Sequence, residues 1–210
     1  MLTWFKWAEK YFFVALLLIV FISFGQTLWM EPWQDDNALF FKLLHIQEPA
    51  GFLGKGIFGD GPYRYTATPY YLVYQLFGLN TSVFFGVAMV FYFLASLSIY
   101  FLLTIVAGKN TGRVGALLFA ANYVASDSYI RLFNSISSSL GVILLSLLAV
   151  SYWKFSQSGK YIWYFLALII FFLASELVYV RFHYLAVFVI FLEAILMPVP
   201  KTITYLINSI

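Results

Sequence analysis

The length of the uninterrupted apolar runs is what most restricts this chain. Residues 11–29, "YFFVALLLIVFISFGQTLW", and residues 82–107 each meet the roughly 20 mostly apolar residues that a membrane-crossing helix needs. Further runs occupy 114–125, 136–153, 161–180 and 182–199. The run 114–125 is short for a crossing, and the junction at Arg181 is tight. The expectation is an all-α membrane protein, a single multi-spanning domain over residues 1–210 with about six transmembrane helices. The first run is too long for the core of a signal peptide and is followed by no small-residue cleavage site, so it is retained. Composition agrees. Charged residues make up 10% of the chain and hydrophobic ones 63%, against about 25% charged in a soluble domain. There is no cysteine, hence no disulfide framework or thiolate metal site. A net charge of +3, scattered along the sequence, gives nucleic acid no footprint.

The basic residues set the orientation. With the N-terminus cytoplasmic, the inner segments hold Lys6, Lys10, Lys109, Arg113, Lys154, Lys160 and Lys201 against Glu9 alone. The outer segments hold Lys42, Lys55, Arg64, Arg131 and Arg181 against Glu31, Asp35, Asp36, Glu48, Asp60, Asp127 and Glu176. Short loops rich in Lys and Arg stay inside, which predicts a multi-pass protein of the plasma membrane with both termini cytoplasmic.

That orientation leaves residues 30–81 as one long outer loop, and long loops in compact proteins are functional or disordered. This one is too aromatic and aliphatic for disorder. Leu39, Phe40, Leu43 and Leu44 fall at helical spacing, with Lys42, His45 and Glu48 between them. The pattern predicts an amphipathic helix over 36–47 lying in the membrane interface, its apolar residues toward lipid or the bundle. Pro49-Ala50-Gly51 ends it, Gly54, Gly56, Gly59 and Gly61 mark an irregular crossing, and 69–77 resumes as an apolar helical run.

Asp35 and Asp36 stand side by side where the chain has just left the first span. As helix formers they would cap the interfacial helix and complement its dipole. As chemistry, a carboxylate on that rim is a general base. Residue chemistry alone leaves both readings open, since one of the pair can do each job.

The order of cytoplasmic tail, first span, acidic pair, interfacial helix and "RYTATPYYLVYQLFGLN" (64–80) resembles the GT-C glycosyltransferases. These multi-spanning enzymes take sugars from polyprenyl-phosphate donors and include protein mannosyltransferases and aminoarabinose transferases. Asp35-Asp36 resembles the family's acidic signature, Thr68-Pro69-Tyr70-Tyr71 its proline segment, and Phe77-Gly78-Leu79-Asn80 the end of that segment. The likeness covers residues 1–155. It departs from the family where Tyr65-Thr66-Ala67-Thr68 separates Arg64 from Pro69, since members carry their prolines directly after the basic residue. Members are also substantially longer, which makes this chain the expected N-terminal part of a larger module.

The resemblance implies a hexosyl- or pentosyltransferase working on the extracytoplasmic side by direct, inverting displacement. Asp35 would be the base, with Asp36 as its orienting neighbour or the base itself. Arg64, Lys42, Arg131 and Arg181 are the cations that would meet the donor phosphate, a task that favours arginine. Glu176, where Ser175 replaces the family's usual Lys, would face substrate or pair internally with Arg181. The acceptor would be a glycan, lipid or protein, and some members hold a divalent cation at the acidic signature while others do not.

The remaining polar residues have plainer readings. Asp127 and Arg131, four apart, suit a helical ion pair. Glu193 lies deep in the last run and suits pairing inside the membrane. His45 and His183 are lone histidines without ligand spacing, so no metal site is expected. Ser135, Ser137, Ser138 and Ser139 start the fourth span and bond between helices; with no adjacent base they are not nucleophiles. Two other functional classes fit a multi-span protein. A lipid-linked sugar flippase or transporter would show internal repeats and midplane charges, and this chain has neither a repeat nor charges away from the rim, Glu193 apart. A structural subunit would have no use for an acid-rich ordered loop.

Overall fold

A computed structural model describes residues 11–32, 34–44, 68–122 and 132–177. Among these there is no strand. The first span is a helix, α1 (Phe12–Phe24), that tightens into a 3-10 turn at Gly25–Trp29. The two together rise about 30 Å, one hydrocarbon thickness. Their end is fixed by the Thr27 hydroxyl, which donates to the Phe24 carbonyl at 2.7 Å. Phe12, Leu16, Val20 and Phe24 recur every four residues and are buried, while Phe13, Leu17, Phe21 and Ile22 between them are exposed. A helix apolar all round is either buried or a membrane span.

Helices α2 (Gln34–Leu44) and α3 (Thr68–Phe77) follow. After them come α4 (Thr81–Ala107), α5 (Lys109–Ala120), α6 (Leu132–Ser158) and α7 (Tyr161–Leu177). Among the described residues three helical segments are long and apolar enough to cross a bilayer: Phe12–Trp29, Thr81–Ala107 and Ser135–Ser158. The apolar part of α7, Tyr161–Ser175, falls just short. At 12 residues, α5 rises only about 18 Å and does not cross alone. It begins and ends five residues before the expected 114–125, because the chain turns back at Gly108 (φ 91°) and Lys109-Asn110-Thr111 already belong to the helix. The expected sixth run, 182–199, lies outside the described residues.

Helix α4 is the hub, packing against α1, α5 and α6. The ring pairs Phe12–Tyr100 and Phe24–Tyr92, 4.8 and 4.7 Å between centroids, set α1 antiparallel to it. Tyr92 also stacks on Phe119 of α5 and donates to that residue's carbonyl at 2.7 Å, satisfying one of the acceptors that a helix end leaves open. Close approach of α5 depends on Gly112, where a side chain would meet Thr104 and the Tyr100 carbonyl. The Ser98 and Ser146 hydroxyls meet at 3.1 Å between α4 and α6, which run parallel. Helix α7 returns along α6 through Ala167, Ile170 and Ala174 against Leu144 and Leu148. The joints α4–α5 and α6–α7 therefore share one end of the bundle, while the end of α1, the helices α2 and α3, and the starts of α4 and α6 share the other.

The apolar surface left exposed on α1, α4 and α7 includes Ile22, Val90, Phe101, Phe165, Ile169 and Phe172. Water does not tolerate a surface this extensive on a soluble monomer, and it associates the protein with the lipid bilayer.

Candidate functional site at the α2–α3 end

The chain leaves the first span at Met30 and enters α2 within a few residues. Because α2 begins at Gln34, Asp35 and Asp36 both lie inside its first turn rather than at its cap, where a negative charge favours the positive end of the helix dipole. Asp36, Phe40 and Leu43 stand at i, i+4 and i+7 and so form one stripe. Asp36 and Leu43 are 0% exposed, and the Phe40 ring packs edge-on against Phe84 of α4 at 5.2 Å. Asn37, Phe41 and Leu44 form the exposed flank. Positions 35, 39 and 42 make the third stripe, on the flank opposite Phe41 and Leu44. Asp35 and Lys42 thus share one side of the helix by register; their side chains lie outside the described structure. Of the apolar residues expected to turn toward lipid or the bundle, Phe40 and Leu43 face the bundle and Leu44 faces outward.

Helix α3 contributes Tyr70, fully buried. Its phenol oxygen accepts from the Ile136 backbone N–H of α6 at 3.1 Å and has further hydrogen bonds with Ser135 and Ser137. Burial pushes the phenol well above its ordinary range, and these donors pull it only part of the way back. It is therefore a neutral hydroxyl that ties the outgoing loop to the first turns of α6. Leu43, Tyr70, Tyr71, Phe84, Phe85 and Ile136 belong to one buried cluster, so α2, α3, α4 and α6 meet at a single floor. The serines read from sequence as helix-to-helix bonds are partly that: Ser135 and Ser137 reach Tyr70, while Ser139 donates to the Ser135 carbonyl of its own helix.

The Phe77-Gly78-Leu79-Asn80 motif has a mechanical explanation. Gly78 (φ 64°) stops α3 with its N–H on the Tyr74 carbonyl at 2.8 Å. Asn80 starts α4 by accepting from the Val83 N–H at 3.3 Å. Ser82 then donates to the Leu28 carbonyl at 2.7 Å, pinning this joint to the end of the first span.

No family model, curated protein or solved structure matches this chain.

Of the residues singled out by sequence, Asp35, Asp36 and Lys42 share α2. Glu176 lies in the last turn of α7, whose core cluster is separate from the floor under α2. Arg64, Arg131 and Arg181 lie outside the described residues, as do Asp127, Glu193 and both histidines. Tyr70 belonged to a recognised motif, but nothing in the sequence pointed to its contact with α6. A divalent cation at this end would take Asp35 and Asp36 as its oxygen ligands. Among the described residues no group of three ligand-type side chains converges to complete such a site. Among the described residues the charges are unevenly divided. Glu31, Asp35, Asp36 and Glu176 lie toward the α2–α3 end with Lys42 as the one basic residue, whereas Lys109, Arg113, Lys154 and Lys160 sit at the two joints opposite. Lys154 stacks there over Trp163 at 4.4 Å.

Proposed function

We propose that this chain belongs to a membrane glycosyltransferase of the GT-C type, transferring a sugar from a polyprenyl-phosphate donor to an acceptor hydroxyl or amine on the extracytoplasmic side. The observation that carries the reading is the burial of Asp36 in the stripe that α2 lays on the bundle. Taking a carboxylate out of water costs several kcal/mol unless its partners repay it, and dipole compensation alone asks for no burial. A buried acid next to a second acid on the helix flank suits a positioned pair. The gathering of Lys109, Arg113, Lys154 and Lys160 at the opposite end, against Lys42 alone of the described basic residues at this one, supports an α2–α3 end that faces outward, and the bilayer-crossing helices suit a lipid-borne donor.

In this mechanism Asp35, on the α2 flank shared with Lys42, accepts the acceptor's proton as its oxygen or nitrogen attacks the anomeric carbon. The new bond forms on the face opposite the phosphate, the bond from the anomeric carbon to the phosphate oxygen breaks, and its electron pair leaves with the polyprenyl phosphate. The configuration inverts. Asp36, held by the bundle, orients the first turn of α2 and its neighbour. Lys42 with Arg64, Arg131 and Arg181 neutralises the departing phosphate, and Glu176 holds substrate from α7.

The test is release of polyprenyl phosphate from labelled polyprenyl-phosphate sugars by the protein in native membranes. Asp35→Asn keeps the shape but not the basicity and is expected to cost about 10²–10⁴-fold in rate. Asp36→Asn is expected to cost less, through looser positioning. Near-normal turnover in both variants rejects the mechanism; loss confined to the Asp36 variant moves the base by one residue.

A further inference from the structure

We propose that α3 is an interfacial helix whose outward face is seated in lipid at the α2–α3 end of the bundle. Tyr70, Tyr71 and Val73 turn inward and are buried. One turn apart on the other side, Leu72 and Leu76 are 56% and 75% exposed, and Phe77 and Leu79 continue the apolar surface. Gln75 lies at the edge of that face, and no residue from Thr68 to Asn80 carries a charge. An uncharged, leucine-rich face has no reason to meet water, and it offers an anionic or cationic partner nothing to recognise.

Position identifies the occupant. Residues 78–80 are the whole link between α3 and α4, and three residues reach at most about 10 Å. That is comparable with the thickness of one headgroup layer, so α3 remains beside the bilayer surface that α4 enters. The Ser82–Leu28 bond brings this joint to the end of the first span, where Trp29 is also exposed, the residue type that marks a membrane interface. A second copy of the chain is the poorer occupant: a few apolar side chains on a ten-residue helix fall well short of the roughly 20–30 residues that a stable interface takes from each partner. The inference is independent of sugar transfer and stands or falls by itself.

The chain has no cysteine, so each introduced one is unique. Leu72→Cys and Leu76→Cys, singly spin-labelled in the whole chain, are placed in vesicles of phosphatidylcholine and phosphatidylglycerol. Their collisions with oxygen, which concentrates in lipid, and with a water-soluble nickel chelate are compared. Ile22→Cys, exposed near the centre of the first span Phe12–Trp29, is the lipid standard; Gln157→Cys, exposed near the α6–α7 joint, is the aqueous one. Both α3 sites are expected to favour oxygen as Ile22 does, several-fold above Gln157, with no change in high salt. Preference for nickel at both overturns the proposal. So does shielding from both reagents, which with spin–spin broadening indicates a second copy and without it a covering segment of the same chain. Because Leu76 is three-quarters exposed, its replacement leaves the fold intact should Leu72→Cys fail to assemble.

Discussion

Replacing Gly112 by alanine sets two effects of opposite sign against each other. Glycine is a poor helix residue, and alanine inside a helix is better by about 0.8–1.0 kcal/mol, so propensity alone makes Gly112→Ala stabilising. In the folded bundle the added methyl would stand 2.8 Å from the Tyr100 carbonyl oxygen and 3.0 Å from the Thr104 nitrogen. Ordinary contact begins at 3.4 Å, so the methyl is too close to the Tyr100 oxygen by the difference, 0.6 Å. Both obstacles are backbone atoms and cannot swing away. Helix α5 must move off α4 by about that distance, a gap that forfeits a quarter or more of each dispersion contact along the seam. It also strains the Tyr92–Phe119 stack and hydrogen bond. Overpacking of this kind costs about 1–3 kcal/mol, and after the propensity gain a net loss of up to about 2 kcal/mol remains. Gly115 is the internal control, because there a methyl meets only the side chain of Leu103, which can rotate. Gly115→Ala is expected to be neutral or to gain up to about 1 kcal/mol. Both variants are compared with the parent by reversible unfolding in mixed micelles, followed by circular dichroism. Equal stability of the two variants would refute the close-approach argument.

Tyr70→Phe leaves the Ile136 N–H and its serine neighbours short of an acceptor in a buried place, an expected loss of about 1–3 kcal/mol of unfolding free energy. Below the ordinary tyrosine pKa of 10.0 the phenol is neutral in both states and adds no pH dependence. Above it the unfolded chain ionises first, so stability falls as pH rises, and Tyr70→Phe is expected to flatten that alkaline slope by up to about 1.4 kcal/mol per pH unit. For orientation, cysteines at Asn37 and Gln157 test the two ends with an impermeant maleimide on intact cells. Labelling of Asn37 alone is the expected result, and labelling of Gln157 alone would place the acidic pair in the cytoplasm.

Apolar run length located the long helices well where a cap coincides with the edge of the run. Helix α4 starts and stops within one residue of the expected 82–107, because Asn80 and Gly108 punctuate it. Helix α6 exceeds the expected 136–153 at both ends, through polar residues such as Ser135, Lys154 and Ser156, since a helix need not stop where the hydrocarbon does. The helical spacing of Leu39, Phe40, Leu43 and Leu44 was legible, but that Asp36 shares the buried stripe of Phe40 and Leu43 was not read from it. The orientation of the helix was not legible either, because a helix with apolar residues on two faces does not announce which one meets the bundle. The Tyr70–Ile136 bond was invisible for a different reason: its partners are 66 residues apart, and no local pattern encodes a contact at that distance.

The same separation bears on how the protein is made. Chains grow at about 5–20 residues per second, so Ile136 follows Tyr70 out of the ribosome by roughly 3–13 s. Through that interval the first span, α2 and α3 exist without the start of α6 that anchors them, and the Tyr70 hydroxyl has to be satisfied by interfacial water instead. Closure of the floor beneath the acidic pair is therefore a late event in biogenesis. A ribosome stalled after α4 would leave a membrane-anchored intermediate in which α4 is complete but the Tyr70 anchor has not yet formed.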